Sequence, residues 1–316
     1  MITVEWASEA YYRLLKIRLT EEAIAEEYRF QEMRCPVHLS IGQEAIAVGI
    51  SLCLSDQDVV FSTHRCHSHY LGKKGDLNGM IAELYGRRTG CTKGLGGSMH
   101  LIDDTVGMMG ASAIVGGSIP LGVGAALSFK LSKLPHLAVS YFGDGACEEG
   151  VFHESMNFAA LKQLSVLFVC ENNAAAGASP LHSRRPADNI FEHSNVFGIP
   201  GYSVDGNDLL AVYETARKAE QHVRSGSGPV LIEAKTYRIM RHVGPEVDYS
   251  SGTRSKEEWD RWRANCPVTN FENFCLERNL ISRERQENIK KNLQQEIRQA
   301  FEFAKSSEPA EHAIHE

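Results

Sequence analysis

The chain has 316 residues, with 33 Lys+Arg against 40 Asp+Glu and a formal net charge of −7. Apolar residues at 43% and charged residues at 23% exclude the disordered and collagen-like classes and describe an ordinary globular protein. The length allows about two average domains or one large α/β domain, and the mildly acidic balance argues against nucleic acid as the main partner, because neutralising phosphates needs a basic surface.

The N-terminus, Met1 to Trp6, has no basic flank followed by an apolar run, so no signal peptide is expected there. From Ser8 to Met33 the spacing predicts one amphipathic helix, with Leu14, Leu15, Ile17 and Leu19 apolar and Glu21, Glu22, Glu26 and Glu27 forming a solvated acidic face. A second, more apolar helix follows Gly42-Gln43-Glu44-Ala45 and ends near Leu54. After a polar, His-rich stretch, Asp76 caps a helix running to Tyr85. Gly86 to Gly117 is loop-like and Gly-rich, and a loop that long is usually functional.

The middle of the chain changes period. Leu137–Phe142 predicts a buried strand, Glu149–Gln163 a helix and Val166–Cys170 a second strand. That βαβ unit requires parallel strands and a right-handed crossover. A helix at about Asp208–Ser225 and a strand at Pro229–Ala234 extend the alternation. Beyond Ser255 the pattern is helical and charged, with a frayed tail at Ser306–Glu316. The expectation is therefore one α/β domain over residues 1–316: a parallel sheet with helices on both faces, an N-terminal helical arm over about 1–55 and a C-terminal helical extension over about 255–316. The most apolar runs, Leu164–Cys170 and Ile114–Leu127, are too short or too Gly-rich to span a bilayer. The eight cysteines are scattered without a C-x-x-C, which points to reduced thiols and a cytoplasmic location.

No G-x-G-x-x-G follows a strand, and there is no Walker-type phosphate loop, H-E-x-x-H or G-x-S-x-G. The chemistry is then expected from a cofactor. Gly143-Asp144-Gly145 closes one strand and Asn172-Asn173 the next, so Asp144 and one of the two asparagines should share a rim of the sheet, where ligands of open parallel sheets gather. A carboxylate beside an amide oxygen suits Mg²⁺, and the flanking glycines let backbone approach a diphosphate. His64, His67 and His69 cluster in sequence, yet no Cys or carboxylate stands at ligand spacing beside them. They are expected as polar site residues rather than a metal cluster.

The run from Gly143 to Lys162, continued in Cys170-Glu171-Asn172-Asn173, closely resembles the thiamine-diphosphate motif of the alpha subunit of 2-oxo acid dehydrogenases, the decarboxylating component of the pyruvate, branched-chain and acetoin complexes. Gly42-Gln43-Glu44-Ala45, Gly96-Gly97-Ser98-Met99-His100, Ile114-Val115-Gly116 and Thr236-Tyr237-Arg238 extend the resemblance over about residues 10–300. It implies that Asp144, Asn173 and the carbonyl of Ala175 ligate Mg²⁺, and that Gly143, Gly145 and Ala146 line the diphosphate of thiamine diphosphate. His64-Arg65 matches the family's Tyr-Arg, with Arg65 pairing diphosphate oxygens. Ala113 and Val115 sit where backbone groups face the aminopyrimidine, and His67 sits near the substrate channel. Arg238 and His242 fall on the family's R-x-x-x-H loop, whose His stabilises intermediates and assists acyl transfer.

The resemblance also implies an α₂β₂ heterotetramer in which a separate beta subunit supplies the activating glutamate, with a lipoyl acyltransferase as a further partner. Two departures stand out: Ala174-Ala175-Ala176-Gly177-Ala178 where the family has an aromatic residue, and Val243 in place of the Ser that is phosphorylated in mitochondrial members. Two other readings stay open. One is a split transketolase-like enzyme moving a two-carbon ketol from a ketose phosphate, for which Arg184-Arg185 is the candidate phosphate grip; the other is a degenerate, non-catalytic partner subunit.

Overall fold

The computed structural model describes residues 2–252 and 254–311. Helix α1 (Val4–Tyr28) starts ahead of the expected Ser8 because the Thr3 hydroxyl accepts the Trp6 N–H at 3.2 Å. It ends short of Met33, where the chain turns through Gln31 at φ +58°. Ala7, Ala10, Leu14, Ile17 and Ile24 form its buried stripe. Glu22 and Glu26 are solvated as expected, but Glu21 is fully buried, accepting from the Ser40 N–H at 3.0 Å. Helices α2 (Glu44–Ser51), α3 (His67–Gly72) and α4 (Leu77–Leu84) follow, with β1 (Val59–Thr63) between the first two. Asp76 caps α4 as its position predicts.

The remaining elements are β2 (Met108–Ser112), α5 (Ser118–Leu131), β3 (Ala138–Gly143), α6 (Gly150–Leu161), β4 (Val166–Asn172), the two-residue strands β5 (Ala175–Ala176) and β6 (Ser179–Pro180), β7 (Gly201–Asp205), α7 (Leu209–Arg224), β8 (Val230–Lys235), α8 (Lys256–Ala264), α9 (Pro267–Glu277) and α10 (Arg283–Ser306). Residues 312–316 of the expected frayed tail lie outside the described residues.

Six strands make one parallel sheet in the order β2-β1-β3-β4-β8-β7. The predicted β3-α6-β4 unit is present, with Ala138 opposite Val166 and Gly143 opposite Glu171. Helices cover both faces, and the strand side chains divide between them with period two. Val139, Tyr141, Leu167 and Val169 join a large core under α1, α2, α4, α7 and α10. Ala138, Phe142, Val166 and Phe168 join a smaller one under α5 and α6. Among the described residues no helix is long and apolar enough to cross a membrane, and all eight cysteines are free thiols.

The order of strands decides where a ligand can sit. From β1 the chain steps outward to β2, then returns to place β3 on the other side of β1. The crevice above β1 and β3 is therefore the switch point at which open parallel sheets bind ligands. The long loop after α4 is not loose. The buried Glu83 carboxylate accepts the N–H groups of Thr92, Gly94, Gly96 and Gly97 at 2.8–2.9 Å and leads the chain towards β2, whose end supplies one wall of that crevice.

Candidate cofactor site

A cleft of about 650 Å³, counting its open mouth, lies over the carboxyl ends of β1, β3 and β4. Asp144 starts the turn after β3 and is 1% exposed. Burial raises its carboxyl pKa, against the lowering effect of the Arg184 guanidinium that is hydrogen-bonded to it. On the adjacent strand the two asparagines divide their work. Asn172 turns away, donating to Glu233 at 2.6 Å while its oxygen accepts the Ala174 N–H. Asn173 faces the cleft. Its amide nitrogen donates to Gln43 at 3.0 Å, and its buried Oδ1 has no hydrogen-bond partner. Buried polar oxygens are seldom left so.

Gly143, Gly145, Ala146 and Ala175 line the same cleft. A Cβ on Gly143 would meet nothing within 4 Å, whereas one on Gly145 would lie 2.7 Å from the Ala176 Cβ. The close approach of β5 to this turn thus relies on small residues from both sides. Ala174 turns the chain at φ +60°, so the alanine run forms a tight β5–β6 hairpin beside the acidic turn.

Arg65, at the end of β1, is 4% exposed and donates to the carbonyls of Leu39 at 2.6 Å and His242 at 3.2 Å. Burial and the like charge of Arg238 lower it to about 9. Arg238 pairs with Asp248 at 3.0 Å and lies 3.4 Å from His242 Nδ1. His64 and His242 line the cleft; burial, with Arg65 beside them, lowers them to about 2 and about 4. His38 packs against both rings, and burial lowers it to about 3.

These three imidazoles are neutral in the folded chain at pH values where a free imidazole, near 6.5, takes a proton. The unfolded chain therefore binds more protons below that value. The stability this contributes is complete above about pH 6.5 and is lost progressively as the pH falls towards the folded-state values. The expected result is a urea midpoint that drops between pH 7 and pH 5, and drops less in the His64→Gln variant.

Not every expected residue reaches the cleft. Ile114, Val115 and Gly116 line it, but Ala113 is not part of its wall. His67 is fully buried at the start of α3, with its ring nitrogens on Glu21 at 3.2 Å and Ser98 at 2.8 Å. His69 is likewise engaged by Ser62 at 2.7 Å and Glu171 at 3.2 Å. Arg184 and Arg185 are neither solvated nor free for a phosphate: Arg184 pairs with Asp144 and Glu148, and Arg185 contacts His193. Sequence reasoning gave no role to Gln43, His38 or Arg254, the last of which donates to the Asn173 carbonyl. The Gly-Gln-Glu-Ala motif was a signal for Gln43; nothing local marks the other two.

A family model described as dehydrogenase E1 component matches residues 12–313. The chain belongs to that family. It is 38% identical over 306 residues to the alpha subunit of acetoin:2,6-dichlorophenolindophenol oxidoreductase of Bacillus subtilis, covering 97% of this chain and 91% of the relative. It is 36% identical to the chloroplastic pyruvate dehydrogenase E1 component subunit alpha-3 of Oryza sativa subsp. japonica, covering 97% and 73%. To the pyruvate dehydrogenase E1 component subunit alpha of Rhizobium meliloti it is 34% identical, covering 94% and 85%. The protein is thus an E1-type alpha subunit, a component of a thiamine-diphosphate-dependent oxidoreductase, and its alpha-subunit relatives imply a beta subunit as partner. The residues present fit that cofactor. Asp144 and the unpartnered Asn173 Oδ1 line one cleft, so a cation that displaces the Arg184 guanidinium from Asp144 would find two oxygen donors there, and the absence of any atom within 4 Å of a Cβ on Gly143 leaves room for an approaching phosphate.

Proposed function

We propose that this chain is the alpha subunit of an enzyme that uses thiamine diphosphate and Mg²⁺ to decarboxylate a 2-oxo acid, or cleave an acetoin-type substrate, and passes the acyl unit to a lipoyl or similar acceptor. The observation that carries this reading is that Asp144 and the unpartnered Asn173 Oδ1 line one cleft at the switch point of the sheet. Hard oxygen donors of this kind select Mg²⁺, with the Ala175 carbonyl as the third protein ligand.

When bound, thiamine diphosphate supplies a carbon nucleophile and an electron sink. The chain's own residues bind and orient it. Arg65 pairs with the diphosphate, Gly145 and Ala146 present backbone to it, and the loop backbone at Val115 faces the aminopyrimidine, with Ala113 outside the wall of the cleft. His242, neutral at its lowered pKa, holds or gives a proton at the substrate oxygen, with Arg238 in a long 3.4 Å contact at its Nδ1. His67 acts from behind as a positioning residue through Glu21 and Ser98. A beta subunit completes the site with the activating glutamate in an α₂β₂ assembly. The engagement of Arg184 and Arg185 within the chain leaves the ketol-transfer reading without its basic pair, and the intact donor set at Asp144 and Asn173 speaks against a degenerate subunit.

The test uses the chain assembled with its beta partner, thiamine diphosphate and Mg²⁺. Reduction of an artificial electron acceptor is followed with pyruvate, branched 2-oxo acids, acetoin and ketose phosphates in turn. Turnover with an oxo acid or acetoin is expected; turnover with ketose phosphate alone would overturn the reading. In the same assay His242→Gln is expected to lower kcat by about 10²–10⁴-fold with cofactor affinity little changed.

A further inference from the structure

Three imidazoles from distant parts of the chain meet at the cleft wall. His38 comes from the segment between α1 and α2, His64 from the end of β1 and His242 from the loop after β8. Their ring centroids lie 4.7 Å (His38–His64), 5.2 Å (His38–His242) and 5.1 Å (His64–His242) apart. One ring nitrogen from each lies within 4.8 Å of the other two. The buried His38 Nδ1 has no hydrogen-bond partner.

We propose that His38, His64 and His242 form a second cation site, distinct in chemistry from the oxygen donors at Asp144 and Asn173, that binds a divalent transition-metal ion, with Zn²⁺ the best match. Tetrahedral zinc with Zn–N bonds of about 2.05 Å holds ligand nitrogens about 3.4 Å apart and imidazole centroids about 5.2 Å apart. The observed rings already stand at that spacing, so closing the nitrogens on an ion needs ring rotation rather than backbone movement. Three imidazoles without a carboxylate favour Zn²⁺, Cu²⁺ or Ni²⁺ over Mg²⁺ or Ca²⁺. The rings leave a fourth position open for water, as in three-histidine zinc sites.

Two guanidiniums, Arg65 and Arg238, face the trio; Asp248 pairs with Arg238 and is shared with Arg254, so the field opposes a cation and the three nitrogen donors must outweigh it. The ion has one existing bond to replace, the contact between Arg238 and His242 Nδ1, and at 3.4 Å that bond is long and weak. His64, His67 and His69, adjacent in sequence, make no such site, because the rings of His67 and His69 are held by Glu21, Ser98, Ser62 and Glu171. Resting on the role proposed above for His242, a bound ion withdraws that ring from proton transfer, so Zn²⁺ inhibits turnover and a chelator restores it.

The experiment uses the assembled complex, stripped with a chelator, returned to excess Mg²⁺ and titrated with Co²⁺ as a spectroscopic probe, then with Zn²⁺ by calorimetry. The expected result is tetrahedral Co²⁺ absorption saturating at one ion per chain, abolished by Zn²⁺. Affinity should fall at least about tenfold, equivalent to about 1.4 kcal/mol, in His38→Gln and in His64→Gln. His64→Tyr keeps an aromatic ring of similar reach and serves if either glutamine variant fails to assemble; the surface variant His182→Gln leaves binding unchanged. Absence of the Co²⁺ band, or a band that survives in both His38→Gln and His64→Gln, overturns the site. Turnover without any Co²⁺ binding sinks the metal site alone, whereas Co²⁺ binding without turnover on any donor sinks the proposed function alone.

Discussion

Asp144→Ala is expected to abolish cofactor retention by the assembled enzyme, with turnover falling by about 10³-fold or more. Asp144 is the only carboxylate among the three proposed Mg²⁺ ligands. Asn173 and the Ala175 carbonyl are neutral, and two neutral oxygens hold a hard dication poorly. Even outer-shell changes around metal ligands cost about 10–100-fold, so loss of the charged ligand itself costs more. Asp144→Asn keeps the shape and one oxygen donor and should fall between the two. Removing Asp144 also leaves Glu148 as the one carboxylate on Arg184, and breaking a mostly buried pair carries its own cost. The measurement is therefore calorimetric titration of thiamine diphosphate with Mg²⁺, beside the thermal midpoint of the same sample. Unchanged affinity in a folded Asp144→Ala complex would remove Asp144 from the metal site.

Glu83→Ala should produce the largest loss of stability, about 4 kcal/mol or more. Its carboxylate, 1% exposed, accepts four backbone N–H groups from the loop after α4. A buried donor left without a partner costs about 1–3 kcal/mol, and water entering the vacated space recovers part of that sum. The fit is tight enough that a Cβ on Gly90 would lie 2.3 Å from the Glu83 carboxylate. Glu83→Gln retains one acceptor oxygen and should lose roughly half as much. Urea unfolding measures both variants, and hydrogen exchange at residues 92–97 should accelerate in each. A loss below about 1 kcal/mol would mean that the loop is organised by other contacts.

The strands that read clearly in the sequence are the ones buried on both faces. β3, β4 and β8 are continuous apolar runs in the middle of the sheet, and burial is what such runs report. Edge strands carry no such signal. β2 contains Gly110 and is half-exposed, and β7 has one buried residue, Val204. β1 is interior but only five residues long, and the polar run that follows masks its end. The alanine run after Asn173 looked like a lost aromatic wall; in the fold its small side chains let β5 pack against Gly145.

What the sequence determined by itself was the βαβ frame and the pairing of Asp144 with an asparagine at neighbouring strand ends. Alternation, parallel register and the rule for ligand position fix those without knowledge of the rest. The residues alone left open which asparagine faces the cleft, and the family resemblance pointed to Asn173; only the tertiary structure decided that Glu21 and His67 are buried partners rather than surface and channel residues, and that Arg184 reaches Asp144. It alone brought His38, His64 and His242 together. Local pattern carries information about which face of an element is buried. Contacts between residues separated by some 180 positions are set by how the sheet and its helices pack, and no local spacing encodes them.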